Sequence, residues 1–195
     1  IRDDLVTGVQ TCALPILTFP GYFHEHILPD RLENISVSFL VDGMTRQRGG
    51  IGPNIAYTLA LLGGDAHLLS TVGEDFADYR NWLESQGVHT EDAKVIADTF
   101  TASFFCNTDQ KNAQIASFFP GAMALAGVQS LHDLAKRPDL IVISPSAPDA
   151  MHKFVKEATE LRIRYVYDPS QQLARITCDE ALEGLWLAAQ PIVGA

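Results

Sequence analysis

The chain of 195 residues carries 14 Lys and Arg against 24 Asp and Glu, a formal net charge of −10, which excludes a nucleic-acid backbone as its main partner. With 47% hydrophobic and 19% charged residues it is neither a disordered tail nor a fibrous repeat, and its length suits one domain with an appendage. Three cysteines, Cys12, Cys106 and Cys178, are odd in number and lack CxxC spacing, which fits a reducing compartment and a cytoplasmic location. The longest uncharged stretch, Asn112 to Leu131, is interrupted by Pro120-Gly121, so no membrane partner is expected.

The first residues read poorly. Leu5 to Leu17 mimics a secretory segment, but Asp3 and Asp4 follow Arg2 where a cationic region belongs, and secretion is rejected. Residues 1–16, IRDDLVTGVQTCALPI, resemble translated sequencing-adaptor read-through and show neither a helical period nor a clean alternation. They are set aside as non-native, and 17–195 is taken as a partial domain. Asn34 to Asp42 is rich in β-branched and aromatic residues and predicts a half-exposed strand. A buried helix follows from Ile55 to Leu62, entered through Arg48-Gly49-Gly50-Ile51-Gly52-Pro53-Asn54 and closed by Gly63-Gly64, with Gly52 as cap and Pro53 at the first helical position.

Ala66 to Val72 predicts a buried strand, and Glu74 to Gln86 a helix with Phe76, Tyr79, Trp82 and Leu83 on its inner side. Lys94 to Ala97, Thr101 to Asn107 and Ala113 to Phe119 read as strands joined by polar turns, which suggests a small antiparallel sheet. Beyond Leu131 the order is helix, strand (Asp139 to Ser144), helix (Ala147 to Leu161), strand (Arg164 to Asp168) and a last helix near Asp179 to Ala188. That alternation implies a parallel sheet with crossover helices. The fold class is α/β: a core over about 50–100 and 130–190 with a β lid from about 34–42 and 101–119.

The glycine turn is the most informative feature. Bare backbone at Gly49, Gly50 and Gly52 admits a close ligand, while helix-terminal N–H groups and the Asn54 amide offer hydrogen bonds suited to a polyhydroxyl molecule. The same pattern also serves a helix start needed only for packing. It is not a GxxxxGK[ST] phosphate loop, and Gly50-x-Gly52-x-x-Ile55 lacks the third glycine of a dinucleotide fingerprint. That demotes a nicotinamide-dependent oxidoreductase. Gly63-Gly64-Asp65 lies at a helix exit and carries little weight. His24-Glu25-His26 has no evident third metal ligand and reads as a solvated loop, while His67 adjoins a buried strand and His89, His132 and His152 read as surface residues.

Gly49-Gly50-Ile51-Gly52-Pro53-Asn54-Ile55-Ala56, followed by Gly63 and Gly73 at matching spacing, resembles the N-terminal signature of PfkB-type, ribokinase-like carbohydrate kinases. Phe19-Pro20-Gly21, Ser38 to Asp42, Phe76 to Arg80, Gln114 to Met123 and Asp168 to Ala174 resemble bacterial adenosine kinases within that family. The resemblance spans about Leu17 to Leu187. It implies a ribokinase-like Rossmann-type parallel core, truncated, with a small antiparallel lid. Gly49, Gly50 and Asn54 would hold ribose hydroxyls, Phe104 and Phe118 would sandwich a purine, and Gln171 and Gln172 would contact the nucleoside. On residue type alone, Phe104 and Phe118 read as core and Gln171-Gln172 as a solvated helix start.

The implied activity is phosphoryl transfer from ATP, with Mg²⁺ assisting, to the 5′-hydroxyl of adenosine. The family's first strand with its sugar-binding aspartate is expected before Leu17, and the nucleotide site and catalytic aspartate beyond Ala195. The chain is therefore expected to be an inactive fragment that binds neither ATP nor Mg²⁺, without a metal site of its own. Related enzymes pair through lid sheets, and Val37 to Val41 is compatible with a homodimer. The alternatives are a noncatalytic nucleoside- or sugar-binding module, and a ribokinase or fructokinase-type sugar kinase.

Overall fold

The structure is a computed structural model that describes residues 4–8, 12–27, 33, 36–170 and 172. In chain order the elements are β1 (Asp4–Gly8), β2 (Cys12–Thr18), α1 (Phe23–His26), β3 (Gly43–Gly49), α2 (Ile51–Leu61), β4 (Asp65–Val72), α3 (Ala77–Ser85), β5 (Val88–His89), β6 (Ala93–Val95), β7 (Ser103–Thr108), β8 (Gln114–Phe119), β9 (Leu140–Ile143), α4 (Pro148–Glu160) and β10 (Arg164–Tyr167). Three 3₁₀ segments, Glu74–Phe76, Gly121–Val128 and Leu131–Asp133, fill turns between them.

The core sheet is parallel, in the order β10-β9-β1-β4-β5, with β6 also pairing β4. β4 is buried along nearly its whole length and carries side chains into two apolar layers. Leu69 packs with Ile141, Ile143, Met151 and Phe154 of β9 and α4. Ala66, Leu68 and Val72 pack with Ala56 of α2 and with Phe76 and Leu83 at the start and on the inner face of α3. Helices therefore cover both faces of the sheet, as a parallel sheet requires. Burial of side chains the size of Leu68 or Phe154 contributes about 1.5–3 kcal/mol each. The α/β class expected from the sequence is the one observed.

Part of the segment set aside as non-native lies in strands of the two sheets. Asp4–Gly8 lies between β4 and β9 in the middle of the parallel sheet, and Cys12–Thr18 sits between β3 and β7 in a second sheet of order β3-β2-β7-β8. Alternation is no guide to a strand in a sheet covered on both faces, and Pro15 argues against a central strand. β2 accommodates it because pairing with β7 is interrupted between Ala13 and Ile16, where proline has no N–H to give.

The second sheet is mixed rather than antiparallel throughout: β2 runs parallel to β7, while β3 and β8 run antiparallel to their neighbours. The strand expected at 34–42 is displaced to Gly43–Gly49. Residues 36–41 carry no regular structure. Instead Phe39 packs its ring edge-on against Phe19 and Phe23, 4.9 Å from each centroid, so aromatic packing replaces ladder pairing there. Val37 and Leu40 stay exposed. β6, expected in the small sheet, joins the core sheet through β4. The expected helix at 179–188 lies outside the described residues.

Candidate functional site

Parallel pairing fixes where a ligand can approach. A crossover helix runs antiparallel to its strands, so the α2 N-terminus, the β10 exit and the start of the second sheet after β1 lie at the carboxyl edge of the core sheet. Open α/β sheets bind ligands at that edge.

β3 delivers the chain to α2 through Gly49 and Gly50. Gly50 is the N-cap with φ 107° and ψ 139°, a left-handed conformation that disfavours a side chain. Gly49 is buried, and its carbonyl accepts a hydrogen bond from the Tyr79 hydroxyl at 3.1 Å. α2 begins earlier than the sequence indicates, at Ile51, and Gly50 rather than Gly52 is the cap. Pro53 remains in the first turn, where its missing N–H costs nothing. The Asn54 backbone N–H donates to the Gly50 carbonyl at 3.0 Å. Among the described residues no side chain caps the first turn, and α2 carries no acid within it, so α2 itself supplies no counter-charge to the positive end of its dipole.

Asn54 is exposed. With Ile51, Ile55, Thr58, Leu59 and Leu62 it lines an open groove of about 480 Å³ along α2. The helix is thus half-buried, with Leu61 and Leu62 exposed, whereas its composition predicts full burial. Neither Phe104 nor Phe118 lines this groove.

Phe104 and Phe118 are direct cross-strand partners in β7 and β8. They therefore lie side by side on one face of the second sheet. Phe104 is half-buried, and Phe118 is exposed like all of β8. Gln172 follows β10 and is buried at 6% exposure. Its backbone N–H donates to Pro169 at 2.8 Å, but its side-chain Oε1 has no hydrogen-bond partner among the described residues, an arrangement that normally costs about 1–3 kcal/mol. The solvated helix start read from residue type is not what surrounds it. Gln171 lies outside the described residues. The structure thus gathers Gly49, Gly50 and Asn54 in one bend and pairs Phe104 with Phe118.

Two supporting features escaped the sequence reading. Gly73 approaches the Phe100–Thr101 backbone so closely that a Cβ would lie 2.3 Å from it; its N–H donates to Thr101 Oγ1, and Asp75 Oδ1 accepts from the Thr101 N–H and hydroxyl at 2.7 Å each. Gly73 is thus a packing residue that ties the core sheet to the root of β7. Asp109, in the β7–β8 turn, accepts backbone N–H bonds from Phe23 at 3.1 Å, Lys111 at 2.8 Å and Ala113 at 2.9 Å. Burial pushes its carboxyl up, but those N–H groups outweigh it and hold it below the ordinary carboxylate value.

A second cavity is lined by Arg46, Gln47, Arg48, Asp75, Asp78 and Tyr79. Two carboxylates stand beside its two guanidinium groups, and Arg48 lies 5.3 Å over the Trp82 ring. Among the described residues no helix is long and apolar enough to cross a membrane.

A doubly covered parallel sheet, a small second sheet rising from its carboxyl edge and a glycine bend opening a helix there define a ribokinase-like α/β protein. The chain matches the pfkB family of carbohydrate kinases over residues 27–189 and belongs to that family. It is similar to a nucleoside kinase of Methanothermobacter thermautotrophicus, 29% identical over 147 residues that cover 74% of this chain and 48% of the relative. It is also similar to an ATP-dependent ribose-1-phosphate kinase of Halopiger xanaduensis, 26% identical over 78% of this chain and 53% of the relative. Among solved structures, Burkholderia thailandensis nucleoside kinase aligns with a TM-score of 0.79 in both its ligand-free and inosine-bound forms. Identity is 35% and 31%, over 95% of this chain and 61% and 58% of those chains. The chain spans about half the length of the curated relatives it matches.

Proposed function

We propose that this chain is the acceptor-binding part of a nucleoside kinase that transfers the γ-phosphoryl group of ATP to the 5′-hydroxyl of a purine nucleoside, with adenosine as the substrate. The observation that carries this reading is the Gly49–Asn54 bend. It offers side-chain-free backbone, uncapped helix N–H groups and an exposed carboxamide at the carboxyl edge of the sheet. Ribose hydroxyls, which both donate and accept, are matched by that mixture of N–H groups and amide. Phe104 and Phe118 supply a phenyl surface for a base, and the Gln172 carbonyl oxygen, buried without a described partner, can accept from an exocyclic amine. The likeness to a kinase solved with inosine favours a nucleoside over a free sugar.

Phosphoryl transfer depends on holding the attacking hydroxyl in line with the γ-phosphate and on stabilising the spreading charge. The first task is the one these residues are suited to. No described residue is assigned to ATP or Mg²⁺. That kinase has also been solved in complex with ADP-inosine, and in the proposal the nucleotide and its metal are held by sequence beyond Ala195, as is the base that activates the hydroxyl. Pairing of two copies through the exposed strands of the second sheet belongs to the same proposal.

The test is calorimetric titration of the 195-residue chain with adenosine, inosine, ribose and fructose, alongside a phosphorylation assay on the chain extended to full length. Residues 1–16 are retained, because β1 is central to the sheet. Purine nucleosides binding more tightly than both bare sugars, with nucleoside phosphorylation by the extended form, is the expected result. Equal or tighter binding of ribose or fructose replaces this reading with a sugar kinase. Nucleoside binding without turnover in the extended form replaces it with a binding module.

A further inference from the structure

We infer that Asp65, His67 and His89 form a divalent transition-metal site at the amino edge of the core sheet, on the side opposite the proposed nucleoside site. β4 and β5 pair in parallel with His67 opposite His89, and Asp65 lies two residues before His67 on the same face of β4. The two imidazole rings stack at 4.5 Å with 19° between their planes. Both Nε2 atoms lie near one oxygen: Asp65 Oδ1 is 3.4 Å from His67 Nε2 and 3.2 Å from His89 Nε2. One ligand atom from each residue falls within 4.8 Å of the other two.

The two nitrogen–oxygen separations suit a metal ion. Bonds of about 2.0–2.2 Å at a tetrahedral angle place ligand atoms roughly 3.4 Å apart. Two imidazoles and one carboxylate are a donor set for Zn²⁺, Co²⁺ or Ni²⁺, with a fourth position left for water. The surroundings orient the ligands. His89 Nδ1 lies 3.5 Å from Glu91 Oε1, so that carboxylate can hold the proton on Nδ1 and leave the Nε2 lone pair facing Asp65, the carboxylate–histidine–metal arrangement. A lone pair facing a carboxylate oxygen is repulsive unless a cation lies between them. Among the described residues Lys136 lies 3.7 Å from Oδ2, the other oxygen, and leaves Oδ1 to the histidines. The three groups are partly exposed, with side-chain exposures of 28% for Asp65, 23% for His67 and 48% for His89, so an ion has a path from solvent.

The competing account is an ionic cluster closed by protons on the histidines, without affinity for metals. Titration calorimetry of the full 195-residue chain with ZnCl₂, and the visible absorption of its Co²⁺ complex, separate the two. One Zn²⁺ per chain is expected, together with Co²⁺ d–d bands of a four-coordinate site and a metal-dependent rise in Tm. H67A and H89A should each abolish all three signals. E91Q should weaken Zn²⁺ binding by about 10–100-fold, and K136A should tighten it. His24→Ala with His26→Ala should leave it unchanged. His89 is exposed on a two-residue edge strand, so circular dichroism of H89A is expected to match the parent and the comparison survives if H67A fails to fold. No Zn²⁺ binding, or binding that H89A leaves intact and that therefore arises at the thiols or at His24 and His26, overturns the inference.

Discussion

β4 and β8 are strands of similar sequence character in opposite surroundings. β4 is sealed between α2 and α3 on one face and α4 on the other. β8, with Ile115, Phe118 and Phe119, exposes every residue. Apolar side chains in β4 are therefore part of folding stability, whereas those in β8 contribute little to it and remain available to a ligand or partner. The difference separates two functions in one chain: the core sheet sets the position of the Gly49–Asn54 bend, and the second sheet presents a surface beside it.

Substitutions that move stability and binding independently would sharpen that contrast, and a pair that moved both together would break it. Leu68→Ala is expected to cost about 3–5 kcal/mol in denaturant unfolding, since a fully buried side chain between α2 and β4 is removed. Gly73→Ala is expected to cost about 3 kcal/mol, because the new methyl would meet backbone rather than a movable side chain. Phe118→Ala, by contrast, should change stability by less than about 0.5 kcal/mol while weakening purine nucleoside binding by about 1–3 kcal/mol if the ring stacks on a base. Thermal unfolding and calorimetry on the same preparations check all three.

The Asp109 turn gives the smallest effect and a pH signature. Its folded-state carboxyl is held below the ordinary value, so the stability it contributes is fully present above the unfolded carboxylate pKa of about 3.9. That contribution is lost as pH falls through the lower folded value. Asp109→Asn is expected to lower Tm by a constant amount above about pH 5, and the gap should narrow only below about pH 4. A gap that closed near neutral pH would assign the effect to another group.

Much of the core was legible because its signals are local. Ala66 to Val72 is a short, largely apolar run between glycine turns, Ala147 to Leu161 has helical apolar spacing, and Gly63 with φ +81° closes α2. What escaped depends on tertiary context. β1 lies in a parallel sheet whose two faces are both covered by helices, so alternation is not expected of it, β5 is two residues long, and the 34–42 run has strand composition but gives its place in the ladder to Gly43–Gly49. The bend at Gly49–Asn54 could be found from glycine spacing, yet the openness of the groove beside Asn54 could not. The Asp65, His67 and His89 cluster is invisible in sequence, since only the β4–β5 register brings the two histidines together.

The central claim is that the Asn54 carboxamide, at the mouth of a side-chain-free bend, grips nucleoside hydroxyls. Steady-state kinetics of the chain extended to full length, with and without Asn54→Ala, test it most directly. The account predicts that kcat/KM for adenosine falls at least about tenfold, equivalent to loss of one hydrogen bond of about 1.4 kcal/mol, with KM for ATP and Tm unchanged. An Asn54→Ala enzyme with the parent's kcat/KM for adenosine would contradict it.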